Sequence, residues 1–206
     1  MKKLRFLIAS GPTREPLDPV RFLSNYSTGK MGEYLVEAAK NKGHEVTWIE
    51  CPKKAETALE LERELKELLP KSDVLIMAAA VCDVRPLKVS GKKIKKDRLS
   101  MIPLTKNPDI LAGLSRKKRR DQVFIGFALE SENVFENANK KLKGKSLDLI
   151  VLQKVTKTIN PFGDKLIEAF FLGEDKGIKR FSAIKKQKVA RLVVQAAEEL
   201  CKKNAP

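Results

Sequence analysis

The chain opens on an apolar run, LRFLIA at 4–9, and most later stretches follow one of two rhythms. From Lys30 to Lys42, the residues Met31, Leu35, Ala38, Ala39 and Lys42 recur at helical spacing, and Gly43 stands where a left-handed cap ends a helix. HEVTWIE (44–50) is β-branched and aromatic, which predicts a second strand. Over 55–69, Ala58, Leu61, Leu65 and Leu68 make an apolar stripe among Glu and Lys, the pattern of a surface helix. DVLIMAAAV (73–81) is almost continuously apolar and predicts a strand covered on both faces.

A long polar loop, 82–107, follows. NPDILAGL (107–114) reads as a helix start with Asn107 as cap and Pro108 in the first turn. QVFIGFA (122–128) and LDLIVL (147–152) are two further strands around a helix at about 132–143. DKLIEAFFL (164–172) predicts a tail strand, antiparallel at an edge, and the chain closes on a helix from about Ala183 to Lys202. Alternating strands and helices predict one three-layer, Rossmann-like α/β domain over 1–206, with a mostly parallel sheet and helices on both faces. Ligands of such sheets bind where loops leave the carboxyl ends of the strands. Four loops there carry polar or turn-forming residues, 10–29, 79–107, 127–131 and 152–164, and they are expected to converge.

Composition narrows the chemistry. The net charge is +16, with basic residues grouped in KVSGKKIKKDR (88–98), RKKRR (116–120) and KKLKGK (140–145). That balance fits nucleic acid, an acidic surface or anionic small molecules. Few aromatics interleave these runs and no recognition-helix or RNA-binding signature occurs, so base readout has no support. Three scattered cysteines and one histidine exclude a zinc site and point to reduced thiols. No apolar run approaches the ~20 residues of a membrane span. The apolar part of the N-terminus is too short for a signal peptide, so a cytoplasmic protein is expected.

The stretch SGPTREPLDPVRFLSNYSTGKMG (10–32) resembles a phosphate loop without being a known one. A P-loop would need Gly where Ser24 stands and Ser or Thr where Met31 stands. Gly11 and Gly29 are too far apart for a dinucleotide fingerprint, and Glu50 at the end of the second strand is only suggestive, which counts against a pyridine-nucleotide oxidoreductase. Ser27, Thr28 and Gly29 nevertheless directly precede a helix whose free N–H groups can bind an anion.

Read together, that block, AAAVCDVRP (78–86), KKIKK (92–96), KNPDIL (106–111) and GFALE (126–130) resemble phosphopantothenate–cysteine ligase, in order, over about residues 4–200. The resemblance implies a stand-alone bacterial-type ligase of coenzyme A synthesis that uses CTP, with magnesium, to convert the carboxylate of 4′-phosphopantothenate into an acyl-cytidylate. Cysteine then displaces CMP. It further implies a homodimer, and a separate phosphopantothenoylcysteine decarboxylase in the same pathway.

By the same resemblance Asn25 handles the acyl-cytidylate, Arg21 supports activity, and Ala80 is a small residue at the catalytic centre. Ser27 and Thr28 would meet phosphate through their backbone. Met77, Ala78 and Ala79 would contact the nucleotide through the strand end, and Asp83 is a nucleotide-binding acid. Lys93 corresponds to a lysine on a mobile loop. Pro108, Asp109, Ile110, Leu111 and Phe127 correspond to further nucleotide contacts, and Lys141 and Lys145 to lysines that hold phosphate. Plainer roles stay open: Arg21 as an ion-pair partner, Asp83 as a turn acid, and Lys141 and Lys145 as cations favoured at a helix end. Cys82 has no neighbouring base and is expected to be inert. One departure concerns the strand end DLIVLQKV (148–155), where Gln153 and Lys154 replace the family's Asn-Asp pair and remove an acid.

Overall fold

Alternation along the strands decides which side of the central sheet each residue covers. The computed structural model describes residues 2–156, 161–173 and 177–204. Five strands run parallel: β1 (Arg5–Pro12), β4 (Glu45–Glu50), β5 (Val74–Ala80), β8 (Val123–Glu130) and β9 (Leu149–Lys154). Phe6 and Ile8 of β1 and Ile76 of β5 pack under α1 (Lys30–Asn41) and α5 (Lys186–Lys203). Their sequence neighbours Leu7, Ala9 and Leu75 face α2 (Ala58–Leu68), α3 (Ile110–Ser115) and α4 (Val134–Gly144). Both faces are therefore buried, which is why these strands read as unbroken apolar runs.

With β10 (Ile167–Gly173) and β11 (Gly177–Ile184) added, the sheet order is β11-β10-β9-β8-β5-β1-β4. The chain leaves β1 toward β4 through α1 on one face and returns to β5 through α2 on the other. This reversal opens a crevice at the carboxyl ends of β1 and β5. Helix α2 begins with a capping box between Thr57 and Glu60. Glu15, fully buried on the hairpin strand β2 (Arg14–Asp18), adds a hydrogen bond from Ala58 N–H to its Oε1 at 2.9 Å.

Several expectations need correction. The tail strand, β10 (Ile167–Gly173), is antiparallel to β9 but is not the edge. An unforeseen strand, β11 (Gly177–Ile184), covers it, and the last helix starts only at Lys186. Most of β11 is exposed and it carries Lys179 and Arg180, so it lacks the apolar rhythm of a core strand and suits a protected edge. Asn107 does not cap α3. Asp109 does, accepting from Ala112 N–H at 3.1 Å, while Asn107 donates to the Cys82 carbonyl at 2.8 Å. The two long loops also contain small antiparallel pairs, β2 with β3 (Arg21–Ser24) and β6 (Val84–Pro86) with β7 (Leu104–Lys106). Polar exposed positions and proline hid both pairs from the strand pattern.

The RKKRR run sits in the turn before β8, at the amino ends of the parallel strands and thus away from the crevice. Arg119 donates to the carbonyls of Pro70 and Ser72, and Lys118 pairs with Asp148 at 2.6 Å. Part of this run is structural. Among the described residues, no helix is long and apolar enough to cross a membrane.

Helix α5 is stapled to the sheet by a buried polar cluster. Leu4 N–H donates to His44 Nδ1 at 3.3 Å, so the ring donates from Nε2 to Glu198 Oε1 at 3.1 Å. Lys42 donates to the other carboxylate oxygen at 2.5 Å. Burial pushes the Glu198 pKa up, but the hydrogen bonds from Lys42 and His44 outweigh it and hold the carboxyl below its ordinary value. A depressed carboxylate stabilises the fold above the unfolded pKa, about 4.3, and that contribution is lost as pH falls through the folded value. Glu198→Gln should therefore cost on the order of 1–3 kcal/mol near neutral pH. In denaturant melts the gap from wild type should close below about pH 4.

Candidate active site

Residues of all four candidate loops line one cleft of about 250 Å³ at the crevice. Ser27 to Gly32 form one wall, the end of β5 (Ala78–Ala80, with Val81) the floor, and Phe127 to Leu129 the far side. Gln153, Pro161, Phe162 and Lys186 complete it; residues 157–160 of the fourth loop lie outside the described residues. A second cleft, about 280 Å³, opens on the other side of the sheet end. It is lined by Met77, Cys82, Asp83, the segment 107–111 and Lys145. Ala79, Val81 and Phe127 belong to both, so the two clefts meet over the ends of β5 and β8. A shallower recess along α4, with Glu130, Lys140 and Lys141, continues from the second cleft at Asp109 and Lys145.

The first cleft depends on three glycines. Gly11 has φ +85, and a Cβ there would fall 2.1 Å from the Cys51 carbonyl oxygen. Gly29, also left-handed at φ +73, places its own Cβ position 3.5 Å from Gly11 Cα. A Cβ on Gly32 would fall 2.0 Å from Ser10 Oγ and 2.1 Å from Ser10 Cβ. Tight turn, close backbone approach and close helix–strand contact are the three tasks of a dinucleotide-type glycine fingerprint. Here Gly11 and the Gly29-x-x-Gly32 pair are separated by the β2–β3 hairpin, which concealed the pattern in sequence. Helix α1 starts with no side-chain cap; Gly32 N–H is taken by the Gly29 carbonyl, which leaves the N–H groups of Lys30 and Met31, both lining the cleft, for an anion.

Asn25 leaves the hairpin beside the rim, and its Nδ2 donates to the Ala80 carbonyl at 3.0 Å. The same carbonyl accepts from Thr13 N–H at 3.2 Å. Buried Thr13 also receives the Cys82 N–H on its hydroxyl and Ser24 Oγ on its carbonyl. This web fixes Asn25 and Ala80 relative to one another. Burial raises the Cys82 thiol pKa and the Thr13 hydrogen bond only partly offsets it, so the thiol is a poor nucleophile. Thr28 and Ser27 sit at the α1 entrance, where Ser27 Oγ accepts from Gly29 N–H at 3.3 Å.

Arg21 points away from the clefts. It pairs with buried Asp18 and donates to the Ile94 carbonyl at 2.8 Å, while Asp18 also accepts from the N–H groups of Val20, Arg21 and Ile94. Those bonds, with Arg21 first, hold the Asp18 carboxyl well below its usual range despite burial. Arg21 thus ties the hairpin to the lysine loop next to Lys93. Lys93 itself is exposed and lines neither cleft. Asp83 lines the second cleft and its carbonyl accepts from Asn107 N–H. Lys145 pairs with Asp109 at 2.9 Å, and Lys141 with Glu130 at 2.6 Å, so both lysines carry a carboxylate partner as they stand. Glu50 pairs with Lys53.

Thr13 and buried Lys186 carry no signal in the sequence, and of the glycine trio only Gly29, before α1, does. Gln153 was noted only as a departure, and Lys186 looked like one more exposed lysine. Magnesium has no cage here. Among the described residues no three His, Cys, Asp or Glu side chains converge, and no carboxylate lines the first cleft. A magnesium ion fits only as the companion of a triphosphate, the common arrangement for this hard, reluctantly dehydrated ion.

If the glycine contact sets the cleft, Gly32→Ala should push α1 off β1 and cost on the order of 1–3 kcal/mol. Denaturant unfolding followed by the fluorescence of Trp48, whose indole donates to Ser10 Oγ at 2.8 Å, reads both the loss and the local disturbance.

Residues 1–200 match the family described as DNA/pantothenate metabolism flavoprotein C-terminal domain. A cysteine/cysteine sulfinic acid decarboxylase of an unknown prokaryotic organism is 37% identical over 204 residues, covering 93% of this chain and 57% of its own. The coenzyme A biosynthesis bifunctional protein CoaBC of Borreliella burgdorferi is 34% identical over 209 residues, covering 95% and 52%. The chain thus spans little more than half the length of these curated relatives. The crystal structure of the C-terminal domain of a coenzyme A biosynthesis bifunctional protein CoaBC superposes with a TM-score of 0.80 at 31% identity, over 98% of both chains. Sequence and fold agree over nearly the whole length, and the chain belongs to the DNA/pantothenate metabolism flavoprotein C-terminal domain family.

Proposed function

We propose that the protein is a phosphopantothenate–cysteine ligase acting in coenzyme A synthesis. The observation that carries this reading is the meeting of two clefts at the Ala79–Val81 rim, beside Asn25. Such a pair suits two anionic substrates laid end to end. The nucleotide, CTP, takes the cleft lined by Met77, Asp83, Pro108 to Leu111 and Lys145. The acyl substrate, 4′-phosphopantothenate, takes the cleft at the α1 N-terminus, with its carboxylate at the rim.

There a carboxylate oxygen attacks the α-phosphorus, the bond to the β-phosphate oxygen breaks, and pyrophosphate leaves with the electron pair. The amine of cysteine then attacks the acyl carbon, CMP departs, and the amine proton goes to solvent. A carboxylate is unreactive toward amines until its oxygen becomes part of such a leaving group. The chain's task is to place the two ends and to supply fixed positive charge where negative charge gathers. Asn25, oriented by the Ala80 carbonyl, stands by the mixed anhydride. Arg21 acts at one remove, holding the loop that carries Lys93, which closes over the bound phosphates. Lys141 and Lys145 exchange their carboxylate partners for phosphate when the nucleotide enters; magnesium, held by the triphosphate itself, would supply further positive charge there.

The protein works in the cytoplasm, and its product passes to a phosphopantothenoylcysteine decarboxylase. The decarboxylase name of one relative belongs to a protein nearly twice as long and does not transfer to this segment. A homodimer is supported by exposed apolar side chains on one unit of structure: Val20, Phe22 and Tyr26 of the hairpin, and Leu87, Val89 and Met101 of the lysine loop. The two parts are joined by Ser90 N–H to the Leu17 carbonyl at 2.9 Å.

With 4′-phosphopantothenate, cysteine, magnesium and CTP, the protein should release CMP and pyrophosphate; parallel assays with ATP fix the nucleotide preference. Asn25→Ala should lower amide formation by on the order of 10²-fold while activation persists, so acyl-cytidylate accumulates. Pyrophosphate release that does not need phosphopantothenate refutes the ligase reading. Sedimentation should give twice the chain mass, and Phe22→Asp with Met101→Asp should give the single mass.

A further inference from the structure

Lys186 is the first residue of α5 and one of the most buried charged residues in the molecule, with 5% of its surface exposed. Its ammonium carries three N–H donors. One reaches the Gly163 carbonyl at 2.5 Å, and no carboxylate lies within ion-pair distance of it among the described residues. Burial lowers its pKa and the field of Asp164 only partly restores it. With Asp164 acting only at a distance, a cation stripped of water and not directly paired is costly unless an anion completes the site.

The space in front of it is the first cleft, whose opposite wall is the uncapped start of α1 at Gly29. Among the described residues no carboxylate lines that cleft, whereas the second contains Asp83 and the Asp109–Lys145 pair. The remainder of its lining is largely apolar, with Met31, Ala78, Phe127 and Ala128. A phosphate monoester on a partly apolar stem matches both halves of this lining. Gln153, the residue of β9 that lines this wall, is neutral, so the lysine's charge is not cancelled from β9.

We infer that Lys186 is a substrate-binding residue that receives the terminal phosphate of the acyl substrate, clamping it against the N-terminus of α1. This rests on the ligase reading above and assigns one end of one substrate. The other source of phosphate in the same reaction is the nucleotide, and the experiment separates the two. Affinities of wild type, Lys186→Met and Lys186→Arg for 4′-phosphopantothenate, for pantothenate lacking the phosphate, and for CTP are measured by calorimetry, alongside KM for each substrate.

Lys186→Met should weaken phosphopantothenate binding on the order of 10- to 100-fold and raise its KM in parallel. It should leave pantothenate and CTP affinities unchanged, and Lys186→Arg should recover part of the loss. Equal affinity of wild type and Lys186→Met for phosphopantothenate overturns the inference. So does an equal loss for pantothenate, which marks a general structural defect, or a loss confined to CTP, which moves the lysine to the nucleotide. If wild type neither binds nor converts phosphopantothenate, the ligase reading fails. If wild type is active and Lys186→Met matches it, only the role of Lys186 falls.

Discussion

The contact on which the site rests is the approach of the first helix to the first strand without any side chain between them. Gly32 lies against Ser10, Gly29 against Gly11, and Gly11 against the Cys51 carbonyl. No other residue fits at Gly11 or Gly32, because a Cβ there would overlap atoms at about 2 Å, while Gly29 has room but holds a left-handed φ of +73. The contact brings unpaired N–H groups of α1 up to the ends of β1 and β5, where the winding direction of the sheet reverses. The floor of the first cleft, Ala78 to Ala80, with Ala79 shared by the second, is small for a related reason: bulk there would fill the space that ligand must enter.

A second layer of order comes from polar groups that hold excursions of the chain. The β2–β3 hairpin is bound to the core through Thr13, Ser24 and Glu15, and to the lysine loop through Asp18 and Arg21. These bonds cross sequence separations from 11 to 76 residues. They convert two polar loops into a rigid flank that positions Asn25 at the rim. The surplus positive charge divides accordingly. Lysines near the clefts have carboxylate partners or solvent, the run before β8 secures carbonyls, and Lys186 is buried with no carboxylate at ion-pair distance among the described residues.

The architecture was legible because burial on both faces writes itself into a strand as continuous apolar sequence. DVLIMAAAV and QVFIGFA could be little else, and α1 and α2 announced themselves by their stripes and by Gly43. The candidate residues at the strand ends, Met77 to Ala80, Asp83, Pro108 to Leu111 and Phe127, came from motif resemblance and do share the clefts. Arg21 and Lys93 illustrate the reverse. An ion pair was open for Arg21, and Asp18 is only three residues away, but that Asp18 is buried and that Lys93 stands out in solvent depend on distant packing.

The sequence by itself determined the layers, the parallel core and the neighbourhood of the site, because strand alternation, helical periodicity and turn residues act over a few positions. Tertiary structure alone decided that Gly11, Gly29 and Gly32 form one device across an inserted hairpin. It alone set the edge strand β11 and distinguished Lys186 from its many exposed relatives. Each of those depends on which distant atoms exclude water or forbid a Cβ, and such exclusion exists only once the chain has closed on itself.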